Sequence, residues 1–320
     1  MLEPSPEIEP DGLDTLRKRI GVKAIMGWIE ATARWVDPNT FRLMPVWYPE
    51  HARGALFYKA NWTLEQMNKN KASQFAVHKR EGNRYASLAL SAALGLKPKD
   101  RPNWSCCHIW GVDDDKFQKG NAVVRDRRFY SCVGNMVLLP TPLKAFTDSM
   151  PEVKAMIRLC ARNLYDWYCD HESLPNESRD WEIFSDWANY PASWPRTPNE
   201  QKPQGVVAFT PSIGATAKKR LETIWHDLGH AGYHYPRAEV QAAMQYWELE
   251  LASYSNSIDR PPLTNDPSRF SGTASDIVSL GKAVEITDLT TTEQRLRNLE
   301  HDASMEEIKV ALPTSAAKLT

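Results

Sequence analysis

Long apolar runs are missing from this chain. It has no stretch of 18 or more apolar residues, and its first residues, from Met1 to Gly12, are acidic and contain proline. A secretory signal would instead show a basic stretch followed by an apolar one, and a membrane-spanning helix would need about 20 apolar residues. The sequence therefore predicts a protein that is neither exported nor inserted into a membrane.

Regularly paired cysteines are missing as well. An odd number of cysteines with no Cys-x-x-Cys pair fits neither a disulfide framework nor a standard four-cysteine zinc site. This usage predicts a reducing, cytoplasmic location. The five cysteines are Cys106, Cys107, Cys132, Cys160 and Cys169.

The chain also has no excess of positive charge. It carries 39 lysines and arginines against 40 acidic residues, a formal net charge of -1, so no global attraction to nucleic acid is expected. A nucleic-acid site would have to be a local patch, for which a solvated surface is the ordinary alternative. The predicted patch is Lys116, Lys119, Arg125, Arg127 and Arg128, and a second basic group upstream is Lys69, Lys71, Lys79, Arg80 and Arg84.

What the chain does contain is typical of a globular protein. Hydrophobic residues make up 42% and charged residues 25%, which argues against disorder, a fibre or a membrane bundle. Twelve tryptophans are unusual. We expect most of them to anchor the core or a junction between domains, while some could stack on unpaired bases.

Periodicity and turn residues divide the chain into predicted elements and domains. Helices are predicted over 13–36, 83–96, 151–170, 215–229, 237–253 and 291–301, from apolar residues at helical spacing and from glycine or proline at the ends. The predicted organisation is a mixed N-terminal region over 1–100, a central module over 101–172, a linker or loop rich in proline and tryptophan over 173–205, and a helical C-terminal region with a polar tail over 206–320.

The central module carries a motif that suggests a reaction. His108 lies in a short apolar strand, Asn135 precedes the apolar run Met-Val-Leu-Leu, and Lys144 follows nine positions later. This order, over residues 104–148, resembles the His-Asn-His signature of the HNH, or ββα-metal, nucleases. The resemblance covers about one seventh of the chain.

The resemblance implies a fold. Residues 104–110 and 129–133 would form two strands, 111–115 a turn and 138–147 a helix, with Asn135 where the second strand passes into that helix. The predicted class is therefore α+β, with a central ββα-metal finger and mostly α-helical flanking regions. The flanks would include any surface that reads DNA.

The resemblance also implies roles. His108 would be the general base, Asn135 a metal ligand or an orienting residue, and Mg²⁺ or Mn²⁺ the cofactor. DNA would be the partner, and a homodimer is a possible assembly because one finger per chain often cuts two strands as a dimer.

Two positions depart from the family pattern. Cys107 stands where many members have a metal-binding aspartate, and Lys144 stands where they have a final histidine or asparagine. A charged lysine cannot bind a metal, but it can bind a phosphate. Asp148, four residues further on the same predicted helical face, is the first candidate for a compensating ligand, and the turn at 113–115 is a second.

Zinc is possible at two other places. Cys106, Cys107 and Cys132 could bind it across the hairpin. The segment His226-Asp-Leu-Gly-His230 has the spacing of HExxH zinc hydrolases with Asp in place of Glu, and His234 follows four residues later. Capping of carbonyls or packing in a helix seam is the alternative for these histidines.

Three functions are therefore predicted. The first is a metal-dependent DNA endonuclease or nickase that uses His108, Asn135 and Lys144. The second is a protein that binds nucleic acid, or regulates, through a finger that no longer cleaves. The third is a zinc hydrolase at His226 and His230.

Overall fold

Helices and small two-stranded sheets are mixed along the chain. The computed structural model describes residues 10–68, 76–111, 121–174 and 185–250, all within one compact unit. In these residues the helices are Gly12–Arg19 (α1), Val22–Thr32 (α2), Pro38–Leu43 (α3), Arg84–Ala93 (α4), Lys144–Ser149 (α5), Pro151–Tyr165 (α6), Pro211–His230 (α7) and Arg237–Tyr246 (α8). The strands are Trp35–Val36 (β1), Met67–Asn68 (β2), Val77–His78 (β3), Trp104–His108 (β4), Met136–Pro140 (β5) and Val206–Val207 (β6). This mixture agrees with the predicted α+β class.

The longest strands, β4 and β5, form an antiparallel pair. The register runs from Trp104 opposite Pro140 to His108 opposite Met136. On its other side β5 exchanges two backbone hydrogen bonds with Arg34, at 2.9 and 3.1 Å, so both of its edges are paired there. The first strand of the central module, predicted over 104–110, is confirmed, with its last regular pair at His108.

The second strand and the helix of the module were predicted in the wrong place. The strand is β5 and begins after Asn135, whereas residues 129–131 form a turn, Cys132 makes an isolated bridge with Val46, and Val133–Asn135 is a 3-10 turn. Four successive apolar side chains from Met136 to Leu139 are all at most 1% exposed, as expected of a strand buried on both faces. The helix begins only at Lys144, because Pro140 ends the strand and Pro142 lies in the 3-10 turn Thr141–Leu143.

The first predicted helix, over 13–36, is three elements. Gly21 separates α1 from α2 with φ +84° and ψ +143°, a conformation that residues other than glycine rarely adopt. Beyond α2 the chain becomes extended, and β1 pairs in parallel with β6. The apolar residues at 35 and 36 therefore belong to a strand and not to the end of a helix.

The helices predicted over 83–96, 151–170, 215–229 and 237–253 are present as α4, α6, α7 and α8, but α6 ends at Tyr165 and α8 at Tyr246, and α3 lies where no helix is predicted. Helix α4 ends shortly before Gly95, which has φ +66°, and α6 runs from Pro151 to Tyr165 and is followed by the left-handed Asp166 at φ +48°. The pair α7 and α8 lies where two helices were predicted, and α7 begins earlier because Thr210 caps it by accepting the Ile213 N–H at 3.3 Å. The helix predicted over 291–301 lies outside the described residues.

The C-terminal helices pack on the N-terminal ones. Helix α7 contacts both α3 and α4, and the β1–β6 pair joins residues 35–36 to residues 206–207. These contacts cross the predicted boundaries near residue 100 and within 173–205, and the boundaries themselves stay predictions. No helix in the described part of the chain is both long and apolar enough to cross a membrane.

Aromatic side chains fill the centre of the core. Phe41 packs against Tyr165 and Trp167, with ring centroids 4.8 and 5.8 Å away. A Cβ on Gly134 would lie 2.6 Å from the Phe41 ring, so glycine permits this close packing beside Asn135. As predicted, many tryptophans are core residues, and those at most 1% exposed are Trp35, Trp47, Trp110, Trp194 and Trp247.

Candidate active site around His108

A hydrogen bond to a backbone carbonyl holds the side chain of His108 at the end of β4. Its Nε2 lies 2.9 Å from the carbonyl oxygen of Tyr130. A carbonyl can only accept, so Nε2 carries the hydrogen and Nδ1 keeps the lone pair. The arrangement therefore presents Nδ1 as a proton acceptor.

The surroundings of His108 keep it neutral. Burial lowers the pKa of His108 to about 4, the hydrogen bond to Tyr130 acts in the opposite direction, and the positive charges of Arg53 and Lys154 lower the pKa further. The negative charge of Asp148 raises it. At neutral pH the imidazole is thus unprotonated, as a general base must be, although it is a weaker base than an ordinary histidine.

Asn135 braces the loop next to His108. Its Oδ1 accepts the Trp110 N–H at 2.7 Å, its Nδ2 donates to the Phe129 carbonyl at 3.3 Å, and its own carbonyl accepts the Ile109 N–H at 2.9 Å. The residue is fully buried. Of the two roles predicted for it, these bonds correspond to orienting the strand end, because the oxygen that would bind a metal is already engaged with the backbone.

Lys144 and Asp148 lie on one face of α5, as their spacing predicted. The Lys144 Nζ is 2.5 Å from Asp148 Oδ2, and the two side chains are 41% and 44% exposed. Helix α5 packs against β4, and both charges act on the pKa of Cys107. Asp148 therefore lies within electrostatic reach of both Cys107 and His108, and Lys144 within reach of Cys107.

The hairpin cysteines are buried thiols. Burial raises the pKa of Cys107 and of Cys132 to about 12 and that of Cys106 well above its ordinary value. Zinc binds the thiolate, so these environments oppose its binding. The Cys106 Sγ instead lies 3.2 Å from the Met136 Sδ.

Some residues of the predicted basic patch are engaged by other residues of the chain, and one is exposed. Arg125 is exposed, whereas Arg127 donates to the Glu50 carbonyl and Arg128 forms a bidentate pair with Asp126. Lys116, Lys119 and the acidic turn at 113–115 lie outside the described residues. A role of these basic residues in binding nucleic acid stays a prediction.

Arg53 and Lys154 are charges near His108 that the motif did not indicate. Arg53 lies far upstream of the histidine, between a buried loop and the strand-like segment at residues 55–58, and Lys154 lies in the first turn of α6. No local pattern around either residue signals a site. Only the fold brings their charges within reach of the imidazole.

The alternative zinc site is a pair of stacked imidazoles on the surface of α7. The rings of His226 and His230 are 4.4 Å apart, and the His230 Nδ1 lies 2.9 Å from the His226 carbonyl. His234 stacks instead on Tyr58, with centroids 4.4 Å apart. In residues 10–68, 76–111, 121–174 and 185–250, no three His, Cys, Asp or Glu side chains are grouped as a metal site.

Comparison of the chain with protein-family models, with curated proteins and with solved structures finds no match in any of the three. The interpretation of the site therefore depends on its own geometry and chemistry.

Proposed function

We propose that this protein hydrolyses phosphodiester bonds in DNA through an HNH-like site in which His108 is the general base. The observation that carries the proposal is the hydrogen bond from His108 Nε2 to the Tyr130 carbonyl, because it leaves Nδ1 of a neutral imidazole to take a proton. The chain would act as an endonuclease or a nickase.

The order of the elements supports this reading. An antiparallel pair, β4 and β5, is followed directly by a 3-10 turn and helix α5, which packs back on β4. This is a ββα order, with His108 at the end of its first strand. Asn135 precedes β5 instead of lying between the second strand and the helix, so the proposal of an HNH-like finger depends on the order of the elements and on the position of His108.

The residues divide the chemistry among themselves. His108 Nδ1 would accept the proton of the attacking water, and Asn135 would keep the histidine strand in place through the backbone of Ile109 and Trp110. The Lys144 ammonium, half exposed on α5, would bind a phosphate oxygen. On binding, the phosphate would compete with Asp148 for this lysine.

Among the residues of the proposed site, Asp148 is the one that could hold a divalent cation. Asp148 is a half-exposed carboxylate whose charge acts on His108, and Mg²⁺ is commonly held by one or two carboxylates together with waters and substrate phosphates. When bound, Mg²⁺ or Mn²⁺ would stabilise negative charge on the phosphate and the leaving oxygen. Release of Lys144 to the phosphate would leave the Asp148 oxygen available.

The test is cleavage of supercoiled plasmid, unmodified and base-modified, with Mg²⁺, Mn²⁺ or EDTA. We expect the wild type to nick or cut with a divalent ion and His108→Ala to lose at least about 100-fold in rate, the lower range for a positioned base. His226→Ala is the matched control, because it removes an exposed histidine from α7 and should cut like the wild type. Equal cutting by wild type and His108→Ala would refute the assignment.

A finger that binds DNA without cleaving it is the second candidate. It is favoured by the pKa of about 4 at His108, which makes a weak base, and by the ion pair that occupies Lys144. Binding of the same duplex by wild type and His108→Ala, with no cleavage of any plasmid by either, would select this candidate over the nuclease.

A further inference from the structure

We propose that Arg53 binds the phosphate on which His108 acts, so that the N-terminal region completes the site of the finger. The proposal rests on the proposed function and adds to it a phosphate-binding residue that lies outside residues 104–148.

Hydrogen bonds connect the segment that carries Arg53 to Tyr130, the residue whose carbonyl holds His108. The Arg53 N–H donates to the Val124 carbonyl at 2.9 Å, and Gly54 N–H donates to the Glu81 carbonyl at 2.8 Å. The Tyr130 hydroxyl donates to the Gly82 carbonyl at 3.1 Å, and the backbone carbonyl of Tyr130 is the acceptor for His108 Nε2. The segment that carries Arg53 is therefore attached to the same residue that holds the imidazole.

The charge of Arg53 is available for an anion. Its Nη2 donates to the neutral amide oxygen of Asn83 at 2.5 Å, and within the described ranges no carboxylate forms an ion pair with it. Arg128 and Lys144, by contrast, are each paired with an aspartate. A guanidinium with remaining donors suits a phosphate, because its planar fork can donate two parallel hydrogen bonds.

The effect of this charge already reaches the imidazole. The positive charge of Arg53 lowers the pKa of His108 in the folded chain. A phosphate bound by Arg53 would therefore lie within electrostatic reach of His108. Its negative charge would raise the pKa of His108 toward neutral pH, where a general base is most effective. Binding and activation of the base would be coupled through one group.

Two exposed arginines extend the same surface. Arg80 donates from Nη1 to the Gly54 carbonyl at 3.3 Å, and Arg84 lies at the start of α4 with its guanidinium over the Tyr85 ring. Both lie on the strip of chain that is hydrogen-bonded to residues 53–55. They would contact phosphates further along a bound strand and would contribute to affinity more than to rate.

The test compares wild type with Arg53→Gln, and uses Arg19→Gln, an exposed arginine of α1, as the matched control. The first probe is inorganic phosphate, titrated while the imidazole signals of His108 are followed by NMR. We expect phosphate to shift these signals at much lower concentration in wild type and in Arg19→Gln than in Arg53→Gln, which keeps only Lys144 of the two proposed phosphate-binding residues. We also expect the pKa of His108 to rise in Arg53→Gln without phosphate, because a repelling charge has been removed.

The second probe is a DNA duplex with plasmid cleavage alongside. Loss of one phosphate contact should lower the salt dependence of duplex binding by about one unit of log K against log salt. It should lower kcat/KM by roughly 10- to 100-fold, the value of a charge-assisted hydrogen bond. Arg53→Lys should keep the salt dependence and recover only part of the rate, since it keeps the charge but not the fork.

The outcomes separate the two proposals. Phosphate shifts that depend on Arg53, without cleavage by wild type, would support the phosphate site and count against the nuclease. Cleavage by wild type that is unchanged in Arg53→Gln, or phosphate shifts equal in both proteins, would overturn the role of Arg53 and leave His108 as the base. An unchanged pKa of His108 in Arg53→Gln would also overturn it.

Discussion

The imidazole of His108 combines two opposing influences. Its position at the end of β4, bonded to the Tyr130 carbonyl, gives it the tautomer of a base, while burial and nearby cations lower its pKa to about 4. A base of this kind is unprotonated over the whole neutral range. The low pKa also affects stability, because in mild acid the imidazole of His108 is protonated in the unfolded chain but not in the folded chain.

Acid should therefore destabilise the fold through His108. The pKa is near 6.5 in the unfolded state and about 4 in the folded state, so the contribution is fully present above pH 6.5 and is lost as the pH falls toward 4. For this residue alone the loss between pH 7 and pH 4.5 should be about 2 to 3 kcal/mol. Urea unfolding of wild type and His108→Gln at both pH values isolates it, and His108→Gln should lose less stability on acidification.

A result in which both proteins lose the same stability would contradict the folded-state pKa. A second buried histidine does not spoil the comparison. Burial lowers the pKa of His51 to about 2, but His51 is common to both proteins and its effect cancels in the difference.

At the residue level the sequence indicates His108, Asn135 and Lys144 but not their surroundings. The motif identifies these three residues because they lie within a short stretch of the sequence. Arg53 could not be found in this way, because the bonds that bring it near His108 run through residues 81–82, 124 and 130, which are far apart in sequence.

Apolar periodicity predicts the helices α4, α6 and α7, but it does not show where a helix breaks, as at Gly21, and it fails for short apolar runs. Helix α6 follows from its repeated apolar face, whereas Leu138 and Leu139 are predicted to begin a helix although they lie in the strand β5. A run of four apolar residues cannot by itself distinguish a buried strand from a buried helix turn. What decides here is the pairing with β4 and with Arg34, which no local pattern contains.

The break between α1 and α2 offers a paired test at the scale of elements. Gly21→Ala should cost about 1 to 3 kcal/mol, because φ +84° with ψ +143° is open almost only to glycine although a Cβ would meet no atom within 4 Å. Gly27→Ala, inside α2 with equally open space, should stabilise by about 0.5 to 1 kcal/mol. The two free energies of unfolding from urea titrations should thus have opposite signs, and equal signs would contradict the assigned break.

On the scale of the whole molecule, a buried ion pair joins distant parts of the chain. Arg220 of α7 pairs with Glu50 and donates to the Trp47 carbonyl at 2.7 Å, while Arg127 donates to the Glu50 carbonyl. Burial raises the pKa of Glu50, and the charge of Arg220 opposes that rise. The carboxylate therefore depends on Arg220 to remain charged in a place that is only 6% exposed.

Removing Arg220 alone should lower the free energy of unfolding much more than removing both Arg220 and the charge of Glu50. Arg220→Met would leave the Glu50 carboxylate buried without its partner, which costs about 3 to 5 kcal/mol, whereas Glu50→Gln with Arg220→Met should recover part of that loss. Because the uncompensated charge can be removed by a proton, the single variant should lose less stability at pH 5 than at pH 8. Lys218→Met, an exposed change on the same helix, is the control, and its free energy of unfolding should lie within about 0.5 kcal/mol of that of the wild type.

Since the pair links residue 50 to α7, we expect every variant to unfold in urea in one transition, whether it is monitored by tryptophan fluorescence or by far-UV circular dichroism. Two separate transitions in Arg220→Met would instead mean that α7 and α8 unfold apart from the rest, as the predicted C-terminal domain would require.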